Sequence, residues 1–267
     1  MSTDDRDLAT RAADYATQTY GVVAAELQKL RHDPFDLGMR AVQPILWLVL
    51  FGNVMAQARG LSGNGLPYLD FLSAGILAQS VLFASIFFGI SAIWERDLGV
   101  LQRYLVSPTP RSALVIGKAV SASVRGMLQA AIIYIIALAM GVGIRLELLS
   151  TFGVVILVAL GASTFATLSL IIACVVKTRE RFMGIGQLLT MPIFFASNAI
   201  YPISMMPDWL KAISRCNPLT YEVDGLRALM LVGSATTFDI GTDIAVLVGT
   251  TILVIAIAAR LYPSMGA

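Results

Sequence analysis

From residue 41 onward the chain reads as long apolar runs separated by short polar and charged segments. A helix rises 1.5 Å per residue and needs about 20 mainly apolar residues to cross the hydrocarbon of a bilayer. Six stretches qualify: 41–58, 71–94, 119–144, 152–176, 182–203 and 244–259. The second, fourth and fifth are uncharged, and the first and last are short enough to recruit flanking residues. None of the six holds an Asp or Glu. Ten-residue alternating strands of the barrel type are absent, and backbone crossing lipid must satisfy its own hydrogen bonds, so helices are the form expected. The pattern predicts an all-α membrane domain of six helices over residues 41–262.

Ahead of the first run, Tyr20, Val23, Leu27 and Leu30 recur at three- and four-residue spacing, with Glu26, Gln28, Lys29 and Arg31 on the other faces. Asp33-Pro34 ends the pattern, because proline cannot continue a helix. Residues 1–40 are therefore expected to carry an amphipathic helix lying in the membrane interface.

Composition agrees with burial in lipid. Charged residues make up 13% of the chain, against about a quarter in soluble domains, and mean hydropathy is +0.77. The polar, mixed-charge start lacks the early apolar core of a secretory signal, so the first run is expected to be retained. With the N-terminus inside, thirteen of the nineteen Lys and Arg residues fall in cytoplasmic segments and five in outer ones, which places both termini in the cytoplasm. The nineteenth, Arg125, falls within the third run, about two turns from its cytoplasmic start. It is read either as snorkelling or ion-paired, or as part of a polar path. Cys174 and Cys216 sit in unlike surroundings and His32 has no partner at ligand spacing, so neither a disulfide framework nor a metal site is expected. The net charge of +2 gives no reason to expect a nucleic-acid partner.

The segment WERDLGVLQRYLVSPTPRSALVIGK, from Trp94 to Lys118, is the most informative loop. Glu95, Arg96 and Asp97 mark the membrane exit. Val100, Leu101, Tyr104 and Leu105 give a short helix an apolar face, with Arg103 among the polar positions. Ser107-Pro108-Thr109-Pro110 stops that helix and Arg111 leads into the next run. Such a helix is read either as a rigid lever seated in a partner's groove or as a solvated connector.

The same segment resembles the loop of ABC-2 type transporter permeases of the drug-exporter and nodulation-factor-exporter branch. That family's pattern runs close to E-R-E-x-G-T-x-(E/Q)-x-L-x-x-(S/T)-P-x-x-R-x5-GK. Glu95, Arg96, Gly99, Gln102, Pro108, Arg111, Gly117 and Lys118 match it, while Asp97 replaces a Glu and Val100 a common Thr. The resemblance implies a coupling helix that docks on a nucleotide-binding subunit, with Glu95, Arg96, Asp97, Gly99, Leu101, Arg103, Pro108 and Arg111 as its residues. A phosphate loop needs G-x-x-x-x-G-K-[ST], and here Ser112 replaces its first Gly and Ala119 its hydroxyl. With no nucleotide site of its own, the chain is expected not to be an enzyme.

Between the fifth and sixth runs, Pro207 can start a helix whose Trp209, Leu210 and Ile213 share a face. Asn217-Pro218 supplies an N-cap and a first-turn proline for a second helix lined by Leu219, Val223, Leu226 and Met230. Two short amphipathic helices here are expected to be re-entrant or interfacial. Pro202, Pro207, Trp209, the Asn217-Pro218-Leu219-Thr220-Tyr221 run and Arg227 are similar to the ABC-2 signature at this place, so the resemblance spans nearly the whole chain. Trp209, Asn217, Pro218, Tyr221, Glu222 and Arg227 are the expected outer gate. Glu222, Asp224 and Arg227 are read either as a local ion pair or as substrate contacts.

The resemblance implies a single transmembrane domain in a bacterial cytoplasmic membrane, two copies of a cytoplasmic ABC ATPase carrying ATP and Mg, and a second permease copy or a homologous permease. It further implies a dimer interface on helices one and five. Gln79, Ser85, Arg125, Gln187 and Asn198 are candidates for the path, along with Thr190, although most could equally bond helix to helix. The expected cargo is amphipathic and drug-like or lipid-like; a lipid-linked glycan is the alternative. An ion-coupled transporter would be expected to carry intramembrane acids and repeated halves, and an embedded enzyme a nucleophile–base pair; neither pattern is evident.

Overall fold

The computed structural model describes residues 15–26, 28, 34–56, 67–100, 110–176, 178–234 and 236–262. Residues 15–26 form helix α1. Next come α2 (Pro34–Leu46), a π-helical turn (Trp47–Phe51), α3 (Gly52–Ala56), α4 (Tyr68–Ile86), α5 (Phe88–Asp97), α6 (Arg111–Ala139), α7 (Leu148–Val175), α8 (Arg179–Phe195), α9 (Asp208–Cys216), α10 (Pro218–Met230) and α11 (Ile240–Leu261). Among the described residues there is no strand. An isolated antiparallel bridge pairs Ile144 with Leu231.

Among the described residues, four helices are long and apolar enough to cross a membrane: Tyr68–Asp97, Ser112–Ala139, Leu148–Val175 and Ile240–Leu261. They contain the second, third, fourth and sixth apolar runs, shifted by a few residues. The first run is shorter in regular form. Pro44 removes a backbone donor inside α2, and the helix then widens, with the Gly52 amide donating to the Trp47 carbonyl five residues back. The fifth run differs more. α8 starts at Arg179, capped by the Thr178 hydroxyl, and stops after 17 residues at Phe195, where the run continues to 203. Beyond it the Ser197 hydroxyl donates to the Phe194 carbonyl and accepts from the Ala199 amide, turning the chain. Residues Ala196 to Ala199 are buried, so this irregular backbone is enclosed by protein.

Two further expectations change. The last helix begins at Ile240, so Asp243 lies inside it and is fully buried; an acid does occur within a spanning-length helix. In α1 the packed face is Val22 and Glu26, whereas Tyr20 is 72% exposed. The inward face therefore carries a carboxylate that helical spacing of apolar residues could not reveal.

α4 is buried nearly all round and forms the centre of the bundle, with α6, α7 and α10 against it. The continuous run breaks at Phe87, and the Ser169 hydroxyl of α7 splices the break, accepting from the Gly89 amide at 2.9 Å and donating to the Ile86 carbonyl. Small residues allow close helix contact: a β-carbon at Gly126 of α6 would lie 2.6 Å from that of Ala162 in α7. Hydroxyl pairs add cross-links, Ser123 with Ser163 between α6 and α7 and Thr164 with Thr251 between α7 and α11, both at 2.6 Å. Such bonds contribute about 0.6–2 kcal/mol each between membrane helices.

Candidate functional site

One end of the bundle gathers the residues around the 94–118 loop. The final turn of α5 presents Trp94, Glu95, Arg96 and Asp97 in succession, and helical spacing sends them in different directions. Leu98 and Gly99 close the helix through bonds to the Trp94 and Arg96 carbonyls at 2.9 and 3.0 Å. Gly99 does so at φ 71, a left-handed conformation that explains a glycine at this point of the motif.

Glu95 turns inward. It is 6% exposed, and its Oε2 accepts from Lys118 Nζ of α6 at 2.7 Å. The same ammonium donates to Glu26 of α1 at 3.0 Å and lies 5.8 Å from the Phe88 ring centre. Asp97 turns outward and joins two cations. Arg96 donates to its Oδ1 at 3.0 Å, and Arg179 at the start of α8 donates to its Oδ2 at 2.9 Å. The Arg179 guanidinium also lies 4.0 Å from the Trp94 ring centre. The root of the loop is thus tied inward to α1 and α6 and sideways to α8. Leu101, Arg103 and Pro108 lie outside the described residues. Arg111 opens α6.

The opposite end is organised by α9 and α10. Asn217 caps α10 as expected, accepting from the Leu219 amide at 3.0 Å, with Pro218 in the first turn. Its amide group also donates to the Ile193 carbonyl at 2.6 Å, holding the corner to α8. Tyr221 donates to the Arg215 carbonyl at 2.6 Å. Leu219, Val223, Leu226 and Met230 are fully buried, as their spacing predicts. Trp209 and Ile213 of α9 are exposed, leaving an apolar face uncovered. Beside it a cavity of about 570 Å³ opens among Pro192, Phe195, Tyr201, Trp209, Leu210 and Ile213.

No salt bridge joins Glu222, Asp224 and Arg227. Arg227 donates to the Asn198 and Phe71 carbonyls at 2.9 and 3.4 Å and lies 3.7 Å from the Phe71 ring centre. Asp224 accepts from the Thr237 and Phe238 amides, each at 2.8 Å. Glu222 is fully buried, with no hydrogen-bond partner for either oxygen among the described residues.

The path candidates lie in unlike settings, Thr190 being buried in α8 with its hydroxyl donating to the Gly186 carbonyl. Gln79 and Ser85 are buried in α4, and Gln187 is exposed on α8. Asn198 belongs to the Arg227–Asp224 network, its amide group 3.5 Å from Asp224 Oδ1. Arg125 is half-buried over the Phe88 ring at 5.5 Å. Sequence spacing missed Glu26, Trp94, Arg179 and Gln129. The last is fully buried in α6 with both amide atoms unpartnered among the described residues. Its signal was a lone amide in an apolar run.

Residues 17–231 match the model of the ABC-2 type transporter family. The chain is 31% identical over 210 residues to the transport permease ycf38 of Cyanophora paradoxa, covering 75% of this chain and 70% of that protein. It is 23% identical over 241 residues to the daunorubicin resistance ABC transporter permease protein DrrB1 of Streptomyces coeruleorubidus, covering 90% and 84%. With nodulation protein J of Rhizobium leguminosarum bv. trifolii it shares 28% identity over 191 residues, 71% of each chain.

Proposed function

Because the chain belongs to the ABC-2 type transporter permease family, we propose that it is the membrane subunit of an ATP-driven exporter, moving an amphipathic drug-like or lipid-like molecule out of a bacterial cell. The observation that carries this reading is the braced root of the 94–118 loop. A segment that passes force between a partner and the bundle needs a rigid seat, and Glu95, Asp97, Lys118 and Arg179 supply one.

In this reading the chain crosses the cytoplasmic membrane six times with both termini inside, α2 with its π turn and α8 completing the four long helices. α9 and α10 are re-entrant elements at the outer face. Two ATPase copies, which hold the ATP and Mg, sit under the loop. A second permease copy covers the exposed apolar residues Val42, Leu46 and Leu50 on one helix and Leu188, Leu189 and Phe195 on the other. The drug-like cargo rests on the similarity to the daunorubicin resistance permease. An ion-coupled transporter would also be expected to carry an acid such as the buried Asp243, and membership of the ABC-2 family favours ATP as the driving force.

Affinity purification from native membranes should bring down a cytoplasmic ATPase. In liposomes the pair should move daunorubicin or a fluorescent phospholipid only when ATP is supplied. Transport driven by an ion gradient with no ATPase present would overturn the reading.

A further inference from the structure

Lys118 stands between two carboxylates brought from distant parts of the chain, Glu95 at 2.7 Å and Glu26 at 3.0 Å. The three side chains are at most 7% exposed. Attraction in such a buried cluster is largely offset by the cost of desolvating the ions, but removing Lys118 leaves two buried carboxylates without the cation they share. The cluster therefore fixes relative position more than it adds stability.

Its placement gives that rigidity a use. Glu95 lies where the chain leaves α5 for the loop, and Lys118 lies two turns after the loop returns in α6. The clasp closes the base of the loop and joins it to α1. Close contact reinforces the join, since a β-carbon at Gly117 would lie 2.8 Å from that of Val22. Val22, Ile93, Leu114, Val115 and Tyr262 fill one apolar cluster around it, so the end of α11 is held there too.

We propose that Lys118 is a positioning residue that binds α1, the end of α5 and the start of α6 into one rigid body, so that force on the loop moves α1 with the bundle. Glu95 then serves coupling from the interior, by holding the loop's base, and Glu26 makes the N-terminal helix part of the transmission. The proposal rests on the exporter reading above.

The test is the number of daunorubicin molecules moved per ATP hydrolysed by the permease–ATPase complex in liposomes. Lys118→Met and Glu26→Gln should each lower this ratio several-fold while hydrolysis continues, and Lys118→Arg should stay close to wild type. An unchanged ratio with a lower unfolding temperature would make the clasp merely structural and overturn the proposal. If Lys118→Met fails to assemble, Glu26→Gln decides alone. A wild-type complex that fails to transport with ATP would instead sink the exporter reading.

Discussion

The Glu222 carboxyl group of α10 fills the space that a side chain at Gly161 of α7 would need, so that a β-carbon built there overlaps both oxygens. Glu222 cannot swing into solvent, because it is fully buried. Gly161→Ala should therefore cost about 1–3 kcal/mol through overpacking. In a Glu222→Ala background the same change should cost much less, since the obstruction has gone. Thermal unfolding of the four proteins in one detergent measures the coupling; an equal penalty in both backgrounds would remove this contact as its cause.

Gly75 poses a harder case. A β-carbon there would run into the backbone carbonyl of Ala199, in the turn that follows α8. A backbone group inside an enclosed turn has less freedom than a side-chain tip, so Gly75→Ala should lower the unfolding temperature more than Gly161→Ala does. It should also increase proteolysis between residues 196 and 206, where the turn is displaced. A cost smaller than that of Gly161→Ala would contradict this ordering.

These contacts mark where sequence reading succeeds and where it stops. The four long helices were legible because a bilayer demands a run of apolar length, and Asn217-Pro218 announced its cap through local chemistry. Gly99 was readable as a motif position, although its left-handed backbone was not. Lys118 and Glu95 are both visible in the loop motif, but Glu26 lies 92 residues from Lys118 and its spacing puts it among the polar positions of α1. Spacing in sequence cannot pair side chains from different helices. The early end of α8 is harder to read: residues 196–203 are uncharged and follow the apolar run, but the Ser197 hydroxyl turns the chain there and Ala199 packs against Gly75 of α4.

Asp224 secures the segment that links α10 to α11. Its Oδ2 accepts two backbone amides, Thr237 and Phe238, each at 2.8 Å. Hydrogen bonds to a charged group are worth about 1.5–3 kcal/mol, and their loss leaves donors unsatisfied. Asp224→Ala should therefore speed amide exchange at Thr237 and Phe238 by an order of magnitude or more, whereas the core of α7 stays protected. Exchange that rises uniformly over the bundle would point to global destabilisation instead.

At the other end, Arg179 holds the loop root to α8 by two interactions that separate experimentally. Its guanidinium lies 4.0 Å from the centre of the half-exposed Trp94 ring and donates to Asp97 at 2.9 Å. An exposed cation–π contact contributes about 0.5–1 kcal/mol, and an exposed ion pair about 0–1 kcal/mol that salt screens. Trp94→Ala should consequently lower stability by about 1 kcal/mol with little dependence on ionic strength. Asp97→Asn should have a smaller effect that disappears as salt rises. Arg179→Lys keeps the charge but loses the planar stack and two-pronged donation, so it should resemble Trp94→Ala more than Asp97→Asn. Unfolding curves at low and high salt distinguish these outcomes. If Arg179→Lys were indistinguishable from wild type in both, the stack on Trp94 would have no part in holding the loop root.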